Sequence, residues 1–192
     1  MLTRMSDRRD ALIEATIATL RERGFARTSS RAVAERAGAN QALVFYYFGS
    51  FDELVLAALQ RVSVERLDRY RSAVEGATSP RALVAALRTI YAEDVESGAV
   101  AVVSEVVAGS VAHPALGPRV VELMQPWVDL VESSVRRVLS PTPLGALVEP
   151  RELALAAVTF YLGANLVTRL DPEHAGIDGL LAAAEQALVA LE

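Results

Sequence analysis

Cysteine and lysine are both absent from this 192-residue chain. Without cysteine there is no disulfide, no thiolate metal ligand and no cysteine nucleophile. Without lysine there is no P-loop lysine and no Schiff-base amine, and all 19 basic residues are arginine. Histidine is scarce too: only His113 and His174 occur, outside any HExxH pattern, so a zinc site has little to be built from. No two glycines are spaced G-x-G, which removes the dinucleotide fingerprint, and no G-x-S-x-G elbow occurs. Adjacent acids such as Glu93 and Asp94 point in different directions on a helix and read as a solvated face. The chain is therefore read as a non-enzyme that uses no metal and no cofactor.

Long apolar runs are missing as well. The longest uncharged stretch, Leu153 to Thr168, has 16 residues and contains Gly163 and Asn165. That is short of the roughly 20 residues a membrane span needs, so a buried helix and no membrane partner are expected. The segment MLTRMSDRRDALIEA has no apolar h-region before a small-residue cleavage site, and cytoplasmic residence is the expectation. What is present is a globular composition: 52% apolar residues, with 11 Gly and 8 Pro. The length suits one substantial domain, or a small module fused to a larger one. Charge is uneven, because residues 1–50 carry a balance of +3 and residues 51–192 a balance of −8. A basic head on an acidic body fits contact with nucleic acid at one end only.

Periodicity predicts an all-α chain of about nine helices. Ile13, Ile17 and Leu20 recur at helical spacing within residues 7–23, with Ser6 as N-cap and Gly24 as stop. Thr28, Ser29 and Ser30 offer caps for a second helix with Val33, Ala34 and Ala37 inward, closed by Gly38. Asn40 can cap a short third helix over residues 41–47, with Val44 and Phe48 on its buried side. Two helices joined around a glycine by about three residues form a helix-turn-helix layout. A linking helix at 52–75 follows through Leu54, Leu59, Val62 and Leu67. Further helices are predicted at about 80–96, 99–112, 115–139, 150–169 and 176–191. Ala99 to Val107 is rich enough in β-branched residues to leave helix and strand both open. The loop from Ser140 to Pro150 marks the strongest break in the second half.

A recognition helix needs short polar residues at the end that enters the major groove and an aromatic or polar edge against the phosphates. Asn40, Gln41 and Ala42 supply the first; Phe45, Tyr46 and Tyr47 supply the second. The run Gly24-Phe25, Thr28 to Gly38 and Leu43 to Ser50 resembles the DNA-binding head of the TetR family of transcriptional regulators, over residues 7–56. The resemblance implies a head of residues 1–50 with a three-helix helix-turn-helix, and a body of residues 51–192 for ligand binding and dimerisation. It places Arg31, Gln41, Ala42 and Leu43 near base edges, and Ser30, Tyr46 and Tyr47 at phosphates, where Asn40 can join them. Phe48 reads as core, and Phe45 is divided between core and contact. Phe45 stands where the family usually has Tyr, and Phe51 where it commonly has Lys, which implies fewer phosphate contacts and a weaker or less salt-dependent grip.

By the same resemblance the body dimerises through its last two helices. Two stripes fit that packing: Ala154, Ala157, Val158, Tyr161 and Leu162 with Gly163 and Ala164, and Leu180, Leu181, Ala184, Ala187, Leu188 and Leu191. A cavity for a small apolar effector would draw on Tyr91, Glu105, Met124, Trp127, Phe160 and Asn165, the larger aromatic or polar groups within apolar helices. The function implied is a repressor that binds a near-palindromic double-stranded operator as a homodimer and is released by the effector. A helical protein-interaction module that does not bind DNA is the alternative.

Overall fold

The computed structural model describes residues 2–141, 145, 148–171 and 176–189, with side chains from residue 7 to residue 188 of these. His174 and Leu191, used in the sequence reading, lie outside the described residues. Nine α-helices and one 3-10 turn are described, and no strand occurs among those residues. The helices are α1 Leu2–Arg23, α2 Ser30–Arg36, α3 Ala42–Phe48, α4 Phe51–Glu75, α5 Pro80–Ser97, α6 Ala99–Val111, α7 Gly117–Leu139, α8 Pro150–Leu170 and α9 Ile177–Val189; the 3-10 turn is Phe25–Arg27.

One expectation is corrected locally, and one open choice is decided. Residue 6 is not the cap of α1, because the backbone is already helical from Leu2. The ambiguous stretch at 99–107 is α6, with Val102 and Val106 fully buried. Burial on helical spacing decides there against β-branched propensity, which is a weak prior.

The chain folds as two compact units, Met1–Glu65 with Gly98–Leu123, and Arg66–Ser97 with Met124–Glu192. This division differs from the expected boundary at residue 50. The first half of α4 and all of α6 fall in one unit with the head, whose helices α2 and α3 are too short to bury the apolar face of α1 alone.

In the first unit the buried residues include Leu12, Ile13, Ile17 and Leu20 of α1, Val33 and Ala34 of α2, and Val44 of α3. Leu54, Val55, Ala58, Leu59 and Val62 of α4 are buried as well. Thr16 and Thr19 also sit in the interior; their hydroxyls donate to the carbonyls of Leu12 and Ala15, at 2.7 and 2.6 Å, so no donor is left unpaired.

The second unit has one apolar cluster of Leu67, Tyr70, Val74, Ile90 and Leu130, with Leu83, Trp127 and Tyr161 against it. Another joins Tyr91, Ala164 and Leu181 to Leu87, Phe160, Tyr161 and Ile177. Helix α9 lies along α5, where Arg88 donates to Asp178 at 2.6 and 3.0 Å.

Candidate nucleic-acid interface

Local capping sets the geometry of the head. The Ser29 hydroxyl accepts from the Ala32 N–H at 3.2 Å and starts α2, so of the three candidate caps Ser29 is the one used. Gly38, at φ 61°, turns the chain out of α2. The Asn40 side-chain oxygen then accepts from the Ala42 N–H at 2.9 Å, and the Leu43 N–H donates to the Asn40 carbonyl at 2.9 Å. Helix α3 therefore opens at Ala42, with residues 37–41 between the two helices. Gly49 ends it at φ 77°, its N–H donating to the Phe45 carbonyl at 2.9 Å.

Val44 is fully buried as the anchor of α3, and one side of the helix is turned outward. Gln41, Ala42, Phe45 and Tyr46 are exposed, Tyr46 by 70%, and Leu43 and Tyr47 are half-buried. Tyr46 and Tyr47 meet edge to face with centroids 5.0 Å apart. Exposure of large aromatics at this edge adds little to the stability of the head. On α2, Arg31 is exposed and Ser30 half-buried, and the Gln41 amide donates to the Ser30 hydroxyl at 2.8 Å. That bond ties the starts of α2 and α3 together, and so joins a candidate base reader to a candidate phosphate contact.

All eight predicted DNA-contacting residues thus come from two adjacent helix starts and the outer edge of α3. Phe48 is half-buried, with the Arg9 guanidinium 5.0 Å over its ring. Phe45 is 49% exposed and so lies outside the core of the head. Phe51, at the start of α4, is half-buried.

The six body residues expected at a cavity are not brought together as one group. Glu105 lies in the first unit, where its carboxylate accepts from the Phe25 N–H at 2.7 Å. Tyr91, Met124, Trp127, Phe160 and Asn165 lie in the second. Tyr91 shares a hydrogen bond with Thr168, and the Asn165 amide donates to the Tyr161 carbonyl at 2.7 Å.

The centre of that unit is a polar cluster the sequence reading missed. Asp94 is fully buried, which overturns its reading as part of a solvated face. It accepts from Arg66 Nε at 3.0 Å and from Arg66 Nη2, from the Tyr70 hydroxyl at 3.2 Å and from the Tyr161 hydroxyl. Trp127 lies 5.0 Å from the guanidinium by its ring centroid. Burial is the largest single influence and disfavours the Arg66 cation, but the Asp94 hydrogen bond together with the charges of Tyr161, Asp94 and Tyr70 outweighs it and raises Arg66 above its ordinary value. Burial first, and then the Asp94 charge and hydrogen bond, push the Tyr70 hydroxyl up to about 12. Side chains of α4, α5, α7 and α8 therefore meet at one neutral, fully donated ion pair.

The described residues are thus a helix-turn-helix head followed by further helices, with no strand among them. Residues 12–58 match the family model described as bacterial regulatory proteins, tetR family. The BetI transcriptional regulator of Brucella canis is 34% identical over 80 residues, covering 42% of this chain and 40% of its own. That of Rhizobium meliloti is 31% identical over 80 residues, covering 42% and 39%. The match thus spans about 40% of the curated relatives' length. Among solved structures, a TetR-family regulator from a Rhodococcus species superposes with a TM-score of 0.78 at 22% identity, over 94% of this chain and 98% of its own. The fatty acid degradation regulator FadR of Bacillus halodurans gives 0.73 at 15% identity, over 94% and 93%. The FadR of Bacillus subtilis, solved with stearoyl-CoA, gives 0.71 at 9% identity, over 93% and 96%. Residues 12–58 are thus similar to the DNA-binding head of the tetR family, and the described residues share the fold of the solved TetR-family regulators.

Proposed function

We propose that this protein represses transcription by binding a near-palindromic operator as a homodimer and releasing it when a small apolar effector occupies the body. The observation that carries the DNA half is the outward edge of α3: Gln41, Ala42, Phe45 and Tyr46 are exposed around the single buried anchor Val44. Arg31 can donate twice to guanine, Gln41 can donate to and accept from adenine, Ala42 and Leu43 offer apolar contact to a thymine methyl, and Ser30, Asn40, Tyr46 and Tyr47 hold phosphates.

Support for the dimer comes from α8. By length and composition this helix is apolar enough to cross a bilayer, despite its short uncharged run, yet only 17% of its most apolar window is buried. Leu155, Leu166, Val167 and Leu170 are exposed along it. Its other side is committed, through Tyr161 to Asp94 and through Thr168 to Tyr91. A helix packed on one side and bare on the other fits a second copy of the chain better than surrounding lipid. The effector half rests on the apolar surroundings of Tyr91, Trp127 and Phe160, and on a neighbour of the same fold solved with an acyl thioester. Gel shift at low salt with genomic fragments, followed by footprinting, tests the function. Protection of an inverted repeat is expected, and a protein that protects none is the interaction module instead.

A further inference from the structure

One residue of the head is held at two points by a single face of α6. Glu105 and Gly109 lie one turn apart on α6, and His113 follows just past its end. The Phe25 N–H donates to Glu105 Oε2 at 2.7 Å. The Phe25 ring lies so closely over Gly109 that a methyl group there would overlap ring carbons. Its edge meets the His113 ring, with centroids 5.3 Å apart and planes at 65°. Gly24, at φ 74°, lets the chain pass the carboxylate, since a Cβ there would stand 2.8 Å from the same oxygen.

Phe25 opens the 3-10 turn that leads into α2. The Thr28 N–H donates to the Phe25 carbonyl at 3.0 Å, and the Thr28 hydroxyl to the Gly24 carbonyl at 2.7 Å. The next residue, Ser29, caps α2. The start of α2 is therefore fixed four residues from the point where α6 grips the chain.

We infer that Glu105 and Gly109 form a socket for Phe25 that sets the position of α2, and through the Ser30–Gln41 bond the position of α3. They are positioning residues for DNA contacts that they do not themselves touch. The assignment rests on the DNA-binding reading, and it moves Glu105 from the effector cavity to the head. A carboxylate serves because the Phe25 N–H has no helical partner at the start of its turn, and a charged acceptor makes the stronger bond. Glycine serves because an aromatic ring occupies the space of its side chain.

The test is a rescue series in the full chain, read with the duplex that the wild type enriches from a random pool and with amide exchange at Phe25. Gly109→Ala is expected to weaken binding roughly tenfold, as loss of about one good interaction would, and Phe25→Leu in that background to restore it by making room for the methyl. Glu105→Gln keeps an acceptor oxygen and should bind within about threefold of wild type, whereas Glu105→Leu should lose roughly tenfold and expose the Phe25 amide to faster exchange. Wild-type binding by Gly109→Ala, failure of Phe25→Leu to restore it, or equal amide exchange in the Gln and Leu variants would overturn the socket. If the wild type enriches no duplex, the DNA reading fails, and the exchange comparison still judges the socket.

Discussion

Replacing Asp94 by Asn keeps the shape of the side chain and removes its charge, which isolates what the buried ion pair contributes. Asp94 is fully buried and Arg66 is 6% exposed, so the guanidinium would be left in the interior with no counter-charge. Removing one partner of a buried pair costs about 3–5 kcal/mol. For a chain of this size each kcal/mol lowers Tm by roughly 2–4 °C, so a fall of about 6–20 °C is expected. Replacing both partners, Arg66→Met with Asp94→Leu, should recover most of that loss, because packed apolar side chains substitute well for a buried pair. Recovery is incomplete because the Tyr70 and Tyr161 hydroxyls lose their acceptor. Thermal and denaturant unfolding followed by circular dichroism give both numbers. A loss under about 1 kcal/mol for Asp94→Asn, the range of solvent-exposed pairs, would refute the account of this cluster.

Three further outcomes are expected. Arg31→Ala should cost ~1–3 kcal/mol of operator affinity and relax specificity at one base position per half-site; equal weakening on every operator variant, measured by competition gel shift, would remove Arg31 from base readout. If α8 forms the proposed dimer contact, light scattering should give a dimer for the wild type and a monomer for Leu166→Glu, on the exposed side of α8, without loss of helix content; equal masses for the two would contradict that contact. The Tyr70 hydroxyl is raised from 10.0 to about 12 on folding, so the native state holds this proton more tightly than the unfolded chain. Its contribution is complete below pH 10 and is lost as pH rises from 10 to about 12. Stability measured across that window should fall less steeply for Tyr70→Phe than for the wild type.

The helices were legible because apolar residues recur at helical spacing through most of the chain. Leu54, Leu59, Val62 and Leu67, read as inward from spacing alone, are all buried. The capping residues Ser29 and Asn40 were legible from their chemistry. Asp94 was misplaced, and Arg66 passed over, for a definable reason. Asp94 follows Ile90 by four residues and Arg66 follows Val62 by four, so both occupy inward positions of apolar stripes. Pattern reading that sends every charge outward passes over such a pair, although two opposite charges on inward positions are the signal for one. Glu105 was noticed for the same reason, but its partner is a backbone N–H 80 residues away, and no side-chain pattern encodes that. The two compact units were hidden as well, because α4 runs on through the boundary at residue 65 without a breaker.

Selection of duplex DNA from a randomised pool by the purified protein tests the central proposal most directly. The account predicts enrichment of an inverted repeat whose half-site centres lie about 34–36 Å apart or a multiple of it, bound by a dimer, and lost when Gln41 and Arg31 are both replaced by Ala. Enrichment of no sequence, or of one that the double variant binds equally well, would contradict it.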